Sequence, residues 1–109
     1  MLRDHTEYKI LSWEEIILHV DVIVPQVQQL KVDTIKPVGQ DAIIPATLLA
    51  YRIGVNVDLN SGHSFDLTDK NLPDICLFRV DDGRSLGKTK IYSDIVYEEQ
   101  KLIFPWKSK

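Results

Sequence analysis

The sequence has little cysteine, no excess of positive charge and no long apolar run. Cys76 is its single cysteine in 109 residues, which excludes an internal disulfide framework and a cysteine-based zinc cluster within one chain. Lys and Arg number 13 against 16 Asp and Glu, a formal net charge of −3. The chain therefore lacks the electrostatic signature of a protein that binds nucleic acid or an anionic membrane.

The apolar segments of the chain are short. His19, Asp21 and Arg52 interrupt the longest of them, so the sequence predicts no membrane-spanning helix. The first five residues contain no apolar signal core, which favours a cytoplasmic protein. The length of 109 residues fits a single minimal domain, residues 1–109, with an ordinary globular composition.

The start of the first helix is marked by its cap. Ser12 stands three residues before Glu15, which is the spacing of a capping box. Apolar residues then recur at helical spacing as far as Leu30, and this periodicity predicts a helix. Pro25 lacks a backbone donor and clashes with the preceding turn, so we expect a kink or a break near Val24.

Strands and a second helix alternate along the rest of the chain. The patterns predict a strand over residues 32–38, a helix capped by Asp41 and ended by Gly54, and a buried strand over residues 75–80. Residues 60–64 are typical of a turn or loop. Further short strands are expected over residues 8–11, 55–59, 91–92, 95–97 and 102–104.

This order of elements predicts an α/β fold with a mainly parallel central sheet. Such sheets bind ligands at the carboxyl ends of their strands, which directs attention to the loops after Val38 and Val80. Cys76 lies inside the apolar strand that ends at Val80, where we expect a buried and inert thiol.

The loop after Val80 contains residue types that suit a phosphorylated ligand. Asp81 and Asp82 can bind ribose hydroxyls or a Mg²⁺ ion carried by the ligand. Glycines, a serine, Lys88 and Thr89 follow, and such residues offer backbone N–H groups, hydroxyls and positive charge to a phosphate. The same residues also fit a plain Asp-Asp-Gly turn between antiparallel strands, and spacing alone favours that turn.

Three segments resemble purine-type phosphoribosyltransferases of the xanthine and hypoxanthine kind. Residues 10–16 resemble the opening strand and helix cap of that family, and residues 43–54 resemble the helix after its pyrophosphate loop. Residues 102–106, which contain Phe-Pro-Trp, resemble its closing strand, and residues 81–89 then fit its signature for phosphoribosyl pyrophosphate. The resemblance covers most of the chain and implies a reduced, three-layer phosphoribosyltransferase-like fold.

The resemblance also implies a function, the transfer of 5-phosphoribose from phosphoribosyl pyrophosphate to a purine base. Asp81 and Asp82 would then hold the ribose hydroxyls and, indirectly, the Mg²⁺ of the magnesium–phosphoribosyl pyrophosphate complex. The residues expected beside the 5′-phosphate or the pyrophosphate are Gly83, Ser85, Gly87, Lys88, Thr89, Gln40 and Asp41.

Departures from the family pattern argue against catalysis. Ser85 stands where the family has an acid beside the reacting centre, and such a positioned charge is typically worth several kcal/mol (about 3) in the transition state. Gln40 replaces a cation of the pyrophosphate loop, and Asp41 adds an anion that repels pyrophosphate. These substitutions predict weak or absent transferase chemistry and leave the catalytic residue unassigned.

Two further alternatives follow from the short length. Residues 75–99 also align with the family's later strand and base-recognition segment, which would put Lys88 or Lys90 in the place of a purine-contacting lysine. The alternatives to a transferase are a noncatalytic protein that binds a purine nucleotide, a regulatory protein and an interaction module.

Because a small core leaves sheet edges open, we also expect a homodimer with Trp13 or the C-terminal strands at its contact.

Overall fold

The computed structural model describes residues 7–81, 83, 88–97 and 100–107. A single-turn 3₁₀ helix, Gln40–Ala42, precedes the second α-helix. In chain order, the strands and α-helices are β1 (Glu7–Ile10), α1 (Trp13–Gln29), β2 (Thr34–Pro37), α2 (Ile43–Ile53), β3 (Asn56–Val57), β4 (His63–Thr68), β5 (Ile75–Asp81), β6 (Asp94–Tyr97) and β7 (Gln100–Ile103).

The strands of the described residues form two sheets. The larger sheet has the order β3-β2-β4-β5-β6, and the smaller one pairs β1 with β7. All of these pairings are parallel. The prediction of an α/β fold with a mainly parallel central sheet is confirmed.

Helix α1 begins as the sequence predicts but continues further. The Ser12 hydroxyl accepts a hydrogen bond from the Glu15 N–H at 3.1 Å, and the Glu15 carboxylate accepts one from the Ser12 N–H at 2.8 Å. Of the kink or break expected near Val24, the break is wrong, because the helix runs through Pro25 to Gln29. The kink stays a prediction. Pro25 is exposed, and the buried side chains on either side of it hold the helix on the core despite the lost backbone bond.

The segment between β2 and β3 is close to its predicted form. Helix α2 ends at Gly54, which has the positive φ of 78° expected of a helix stop. The prediction that Asp41 caps this helix is wrong. Ala42 occupies the cap position of α2 without a side-chain bond, and Asp41 lies in the preceding 3₁₀ turn.

Strand β4 is not among the predicted strands, because residues 60–64 are assigned to a turn and no element is assigned to the alternating residues that follow them. Gly62 lies just before β4 with a φ of 119°, and a Cβ there would lie 2.6 Å from the Thr34 carbonyl oxygen. Glycine at this position therefore lets the chain approach β2 closely enough for β4 to pair beside it.

The buried apolar residues of both helices and of the central strands form one core cluster, and Leu102 and Trp106 pack against it from the C-terminal segment. Helix α1 contacts α2 and β5, and α2 contacts β2, β3 and β4. None of the helices in the described part of the chain has the length and apolar character needed to cross a membrane.

Candidate functional site

The order of the strands places a crevice between β2 and β4. The chain leaves β2 through α2 toward β3 at one edge of the sheet, whereas it leaves β4 toward β5 and β6 on the other side. The connections after β2 and β4 therefore diverge at the carboxyl ends of these neighbouring strands. A point of this kind is where open parallel sheets bind ligands.

A cleft of about 510 Å³ lies at this edge of the sheet, within the range of roughly 300–1,000 Å³ found for small-molecule sites. Its walls come from the 3₁₀ turn after β2, from β4 and the residues after it, from β5 and β6, and from β7 with the segment that follows. The lining residues are Asp41, Asp66, Leu67, Thr68, Lys70, Asn71, Val80, Val96, Lys101, Leu102 and Phe104.

Asp66 is the half-buried carboxylate of the cleft. Burial raises the pKa of Asp66 above its ordinary value, and the negative charge of Asp41 acts in the same direction. Hydrogen bonds donated by the Leu67 N–H at 2.7 Å and the Asn71 amide at 3.2 Å act in the opposite direction. A proton therefore binds Asp66 more readily than it binds an exposed aspartate.

Positive charge reaches the cleft from separate parts of the chain. Lys70 follows β4, and Lys101 lies in β7 of the smaller sheet. Lys107 is paired with Asp41 across 3.2 Å, with both side chains about half exposed. The Lys107 pairing offsets the charge of Asp41. The other described ionisable residues that line the cleft are Asp66, Lys70 and Lys101.

Several of the residues predicted for the site lie at this edge of the sheet. Asp41 lines the cleft, and Gln40 is exposed beside it in the 3₁₀ turn. Asp81 is the exposed last residue of β5 and follows Val80, which lines the cleft. Gly83 is exposed, and its N–H donates to Asp81 at 3.4 Å. The loop after Val38 therefore contributes to the cleft as expected.

Lys88 and Thr89 are placed differently from the predicted phosphate cradle. Both are buried. Lys88 Nζ lies 3.6 Å from the Asp69 carboxylate, and the Thr89 hydroxyl donates to the Pro73 carbonyl at 2.7 Å. Neither residue lines the cleft, so their predicted contact with a phosphate is not supported by their positions.

Asp82, Ser85 and Gly87 lie outside the described residues, and their predicted roles stay predictions. Among the described strands, β5 is followed by β6, and the two are parallel rather than the antiparallel pair that the alternative of a hairpin turn expects. Of the two acids predicted to hold Mg²⁺ indirectly, Asp81 lies within the described residues and supplies one carboxylate. Within the part of the chain that the structure describes, no group of three or more His, Cys, Asp or Glu side chains is placed to hold a metal ion.

The residues after β4 were missed by the sequence analysis. Thr68, Lys70 and Asn71 line the cleft, yet their segment was not assigned to a strand end. The signal that identifies it is the polar–apolar alternation of residues 64–68, Ser-Phe-Asp-Leu-Thr, since a period of two indicates a strand. Its assignment would have placed a third ligand loop at the carboxyl edge.

Cys76 and His19 lie away from the cleft. Burial raises the pKa of the Cys76 thiol to about 12, which confirms the prediction of an inert cysteine. His19 Nδ1 lies 2.6 Å from the Ser93 hydroxyl, and its ring packs edge-on against Phe78. Burial lowers the pKa of His19, so a neutral imidazole joins α1 to the segment before β6.

No protein-family model matches this chain, and no curated protein sequence matches it. Solved structures do. A purine phosphoribosyltransferase from Pyrococcus horikoshii superposes with a TM-score of 0.65 at 16% identity, over 94% of this chain and 95% of that one. A hypothetical protein from Neisseria gonorrhoeae with bound ppGpp superposes with a TM-score of 0.71 at 9% identity, over 97% of this chain and 92% of that one. At these identities the likeness establishes the fold alone: the chain has a phosphoribosyltransferase-like α/β fold.

Proposed function

We propose that the protein binds a phosphorylated purine nucleotide in the cleft at the carboxyl end of β4 without transferring a phosphoribosyl group. The observation that carries this proposal is the convergence of Lys70, Lys101 and the Thr68 hydroxyl on one cleft at the switch point of a parallel sheet. Ammonium groups and hydroxyls are the donors that bind phosphate oxygens.

The other walls of the cleft suit the rest of a nucleotide. Leu67, Val80 and Phe104 supply an apolar surface for a base, and the carboxylates of Asp41 and Asp66 can accept hydrogen bonds from ribose hydroxyls or from base N–H groups. The fold likeness to a phosphoribosyltransferase and to a protein that holds ppGpp supports a nucleotide over an unrelated anion. A cytoplasmic location stays a prediction.

The positions of Asp41 and Asp69 support the proposal that the protein does not transfer a phosphoribosyl group. Asp41 adds a carboxylate to the loop in which the resemblance expects the leaving pyrophosphate, and it lines the cleft. Asp69 follows β4, but it is fully buried, accepts a hydrogen bond from the Val80 N–H at 2.9 Å and faces Lys88. An acid that is already bonded to the protein is not available to hold ribose hydroxyls or to stabilise a cationic centre.

Calorimetric titration tests the binding proposal. The protein is titrated with GTP, ATP, GMP, ppGpp and phosphoribosyl pyrophosphate, and we expect saturable binding of at least one of the purine nucleotides. The double variant Lys70→Ala/Lys101→Ala should bind that nucleotide at least about tenfold more weakly, because two charge-assisted contacts to phosphate are lost.

The matched control is Lys31→Gln, which removes an exposed lysine of the turn after α1 that does not line the cleft. This variant should bind like the wild type. No saturable binding of any purine nucleotide at millimolar concentration, or an equal loss of affinity in the control and in the double variant, would contradict the proposal.

Phosphoribosyl transfer is a second candidate, favoured by the fold likeness to a purine phosphoribosyltransferase. It requires release of pyrophosphate from phosphoribosyl pyrophosphate in the presence of Mg²⁺ and a purine base. We expect no release with guanine, hypoxanthine, xanthine or adenine. Release that is abolished by mutation of the cleft would establish the transferase and overturn the noncatalytic assignment.

A further inference from the structure

The outer surface of the two helices carries large apolar side chains that the core does not cover. On α1, Leu18 and Val22 are separated by one helical turn and are 63% and 53% exposed. On α2, Ile43, Ile44 and Tyr51 are 38%, 41% and 83% exposed. Isolated exposed apolar residues are normal, but a set of this size on two neighbouring helices indicates an interaction surface.

A charged pair lies among these apolar residues. The Arg52 guanidinium donates to the Asp21 carboxylate at 2.6 Å and joins α2 to α1. Asp21 precedes Val22 and Arg52 follows Tyr51 in the sequence. The surface, which we name the helix face, therefore carries one acid and one base side by side, a pattern that is complementary to a rotated copy of itself.

The shape of the helix face supports the same partner. A shallow depression of about 520 Å³ runs along α2, lined by Ile43, Ile44, Thr47, Leu48 and Tyr51. The exposed side chains of α1 project from the neighbouring helix. In a contact with two-fold symmetry, the α1 side chains of one copy enter the α2 depression of the other, and the reverse contact follows from the symmetry.

The area of the helix face is sufficient for a stable dimer. Its exposed apolar side chains amount to roughly 500 Å². A standard interface buries about 800 Å² per partner, of which about 65% is apolar in homodimers, so it needs roughly 500 Å² of apolar surface from each copy. The helix face meets this requirement without a contribution from the smaller sheet of β1 and β7.

We propose that a second copy of this chain covers the helix face, forming a two-fold symmetric dimer in which Asp21 of each copy lies beside Arg52 of the other. This surface differs from the contact expected from the sequence, which was Trp13 or the C-terminal strands. Trp13 packs against Trp106 of its own chain, with 5.7 Å between ring centroids, and so already has an aromatic neighbour.

Sedimentation velocity over micromolar to submillimolar concentrations tests the contact. The wild type should be a dimer, and Leu18→Glu should raise the dimer dissociation constant at least about tenfold, because it buries an uncompensated charge in the interface. The matched control is Tyr8→Glu on β1, an equally exposed residue at 63%, which should leave the dimer intact. A monomeric wild type, a dimeric Leu18→Glu variant or a dimer lost only in the control would overturn the proposal.

Charge exchange separates the proposed contact from the ion pair within one chain. Asp21→Arg and Arg52→Asp each place like charges together, both within a chain and across the proposed contact, so each variant alone should dimerise weakly. A mixture of the two should form mixed dimers in preference to either homodimer, because the contacts between copies become Arg–Asp pairs again. Native mass spectrometry reads the species directly, and a mixture that stays as two separate populations would overturn the proposal.

Discussion

The two halves of the five-stranded sheet are connected in different ways. Strands β2 and β3 are joined by α2, whose buried side chains Ala46, Leu49 and Ala50 lie in the core. Strands β4 and β5 are joined by residues 69–74 without a helix, and the described residues between β5 and β6 contain none either. In this half, buried polar residues take part in the packing: Asp69, Lys88 and Thr89.

The difference is visible in the residues that follow β4. Without a helix after β4, the Asp69 carboxylate turns into the protein and bonds to Val80 and Lys88. The residues that follow it, Lys70 and Asn71, are exposed and line the cleft. The helix-free half therefore buries its acid in the protein and presents a lysine and an amide to the cleft.

The largest expected effect comes from Lys88→Met in the helix-free half. It leaves the Asp69 carboxylate buried without its ammonium partner, and breaking such a pair typically costs about 3–5 kcal/mol of unfolding free energy. Urea unfolding measures this cost. The control Lys90→Met, at an exposed position, should stay within about 0.5 kcal/mol of the wild type. An equally small change for Lys88→Met would show that the buried pair of Lys88 and Asp69 does not stabilise the helix-free half.

In the helix-containing half, Leu49→Ala should cost about 3 kcal/mol, because it removes a fully buried side chain and leaves a cavity. The same urea unfolding measures the loss, and it should not depend on salt. Leu59→Ala serves as the control, since Leu59 is exposed in the loop after β3 and should tolerate the change. A loss at Leu49 that disappears at high salt would argue against purely apolar packing there.

A smaller effect concerns the pH dependence of stability and comes from His19 on α1, which contacts Ser93 and Phe78 of β5. Because burial lowers the pKa of His19 below its ordinary value of 6.5, the folded state binds a proton less readily than the unfolded state. The stability that His19 contributes is therefore complete above about pH 6.5 and is lost as pH falls through the lowered pKa. The raised pKa of Asp66 has the opposite effect on stability. The folded state binds a proton at Asp66 more readily than the unfolded state, so this group favours the folded state on acidification.

Unfolding free energies of the wild type and His19→Gln, compared from about pH 7.5 to about pH 5, isolate the contribution of His19. The wild type should lose more stability on acidification than the variant. An identical pH dependence in both proteins would mean that the contact of His19 with Ser93 carries no proton-linked stability.

The sequence predicts the elements that local chemistry determines. The capping box of Ser12 and Glu15, the stop at Gly54 and the apolar strand β5 depend on residues near one another in the chain, and all are confirmed. The break at Pro25 was wrong because packing of α1 on the core outweighs a single lost backbone bond.

The candidate site was only partly predictable. Asp41 was identified through the resemblance of its loop to a pyrophosphate loop, and it lines the cleft. The contribution of β4 was missed, since its short alternating pattern is ambiguous without the strands on either side of it. The burial of Lys88 depends on Asp69, a residue nineteen positions away in the sequence, and no local pattern predicts such a contact.

The most direct test of the central claim is nuclear magnetic resonance of the labelled protein during titration with the purine nucleotide that binds most tightly. We expect the largest amide shifts at Asp41, Thr68, Lys70 and Asn71, at the carboxyl edge of the sheet that borders the cleft. Shifts concentrated instead at the opposite edge, around His63, Asp74 and Lys90, would contradict it.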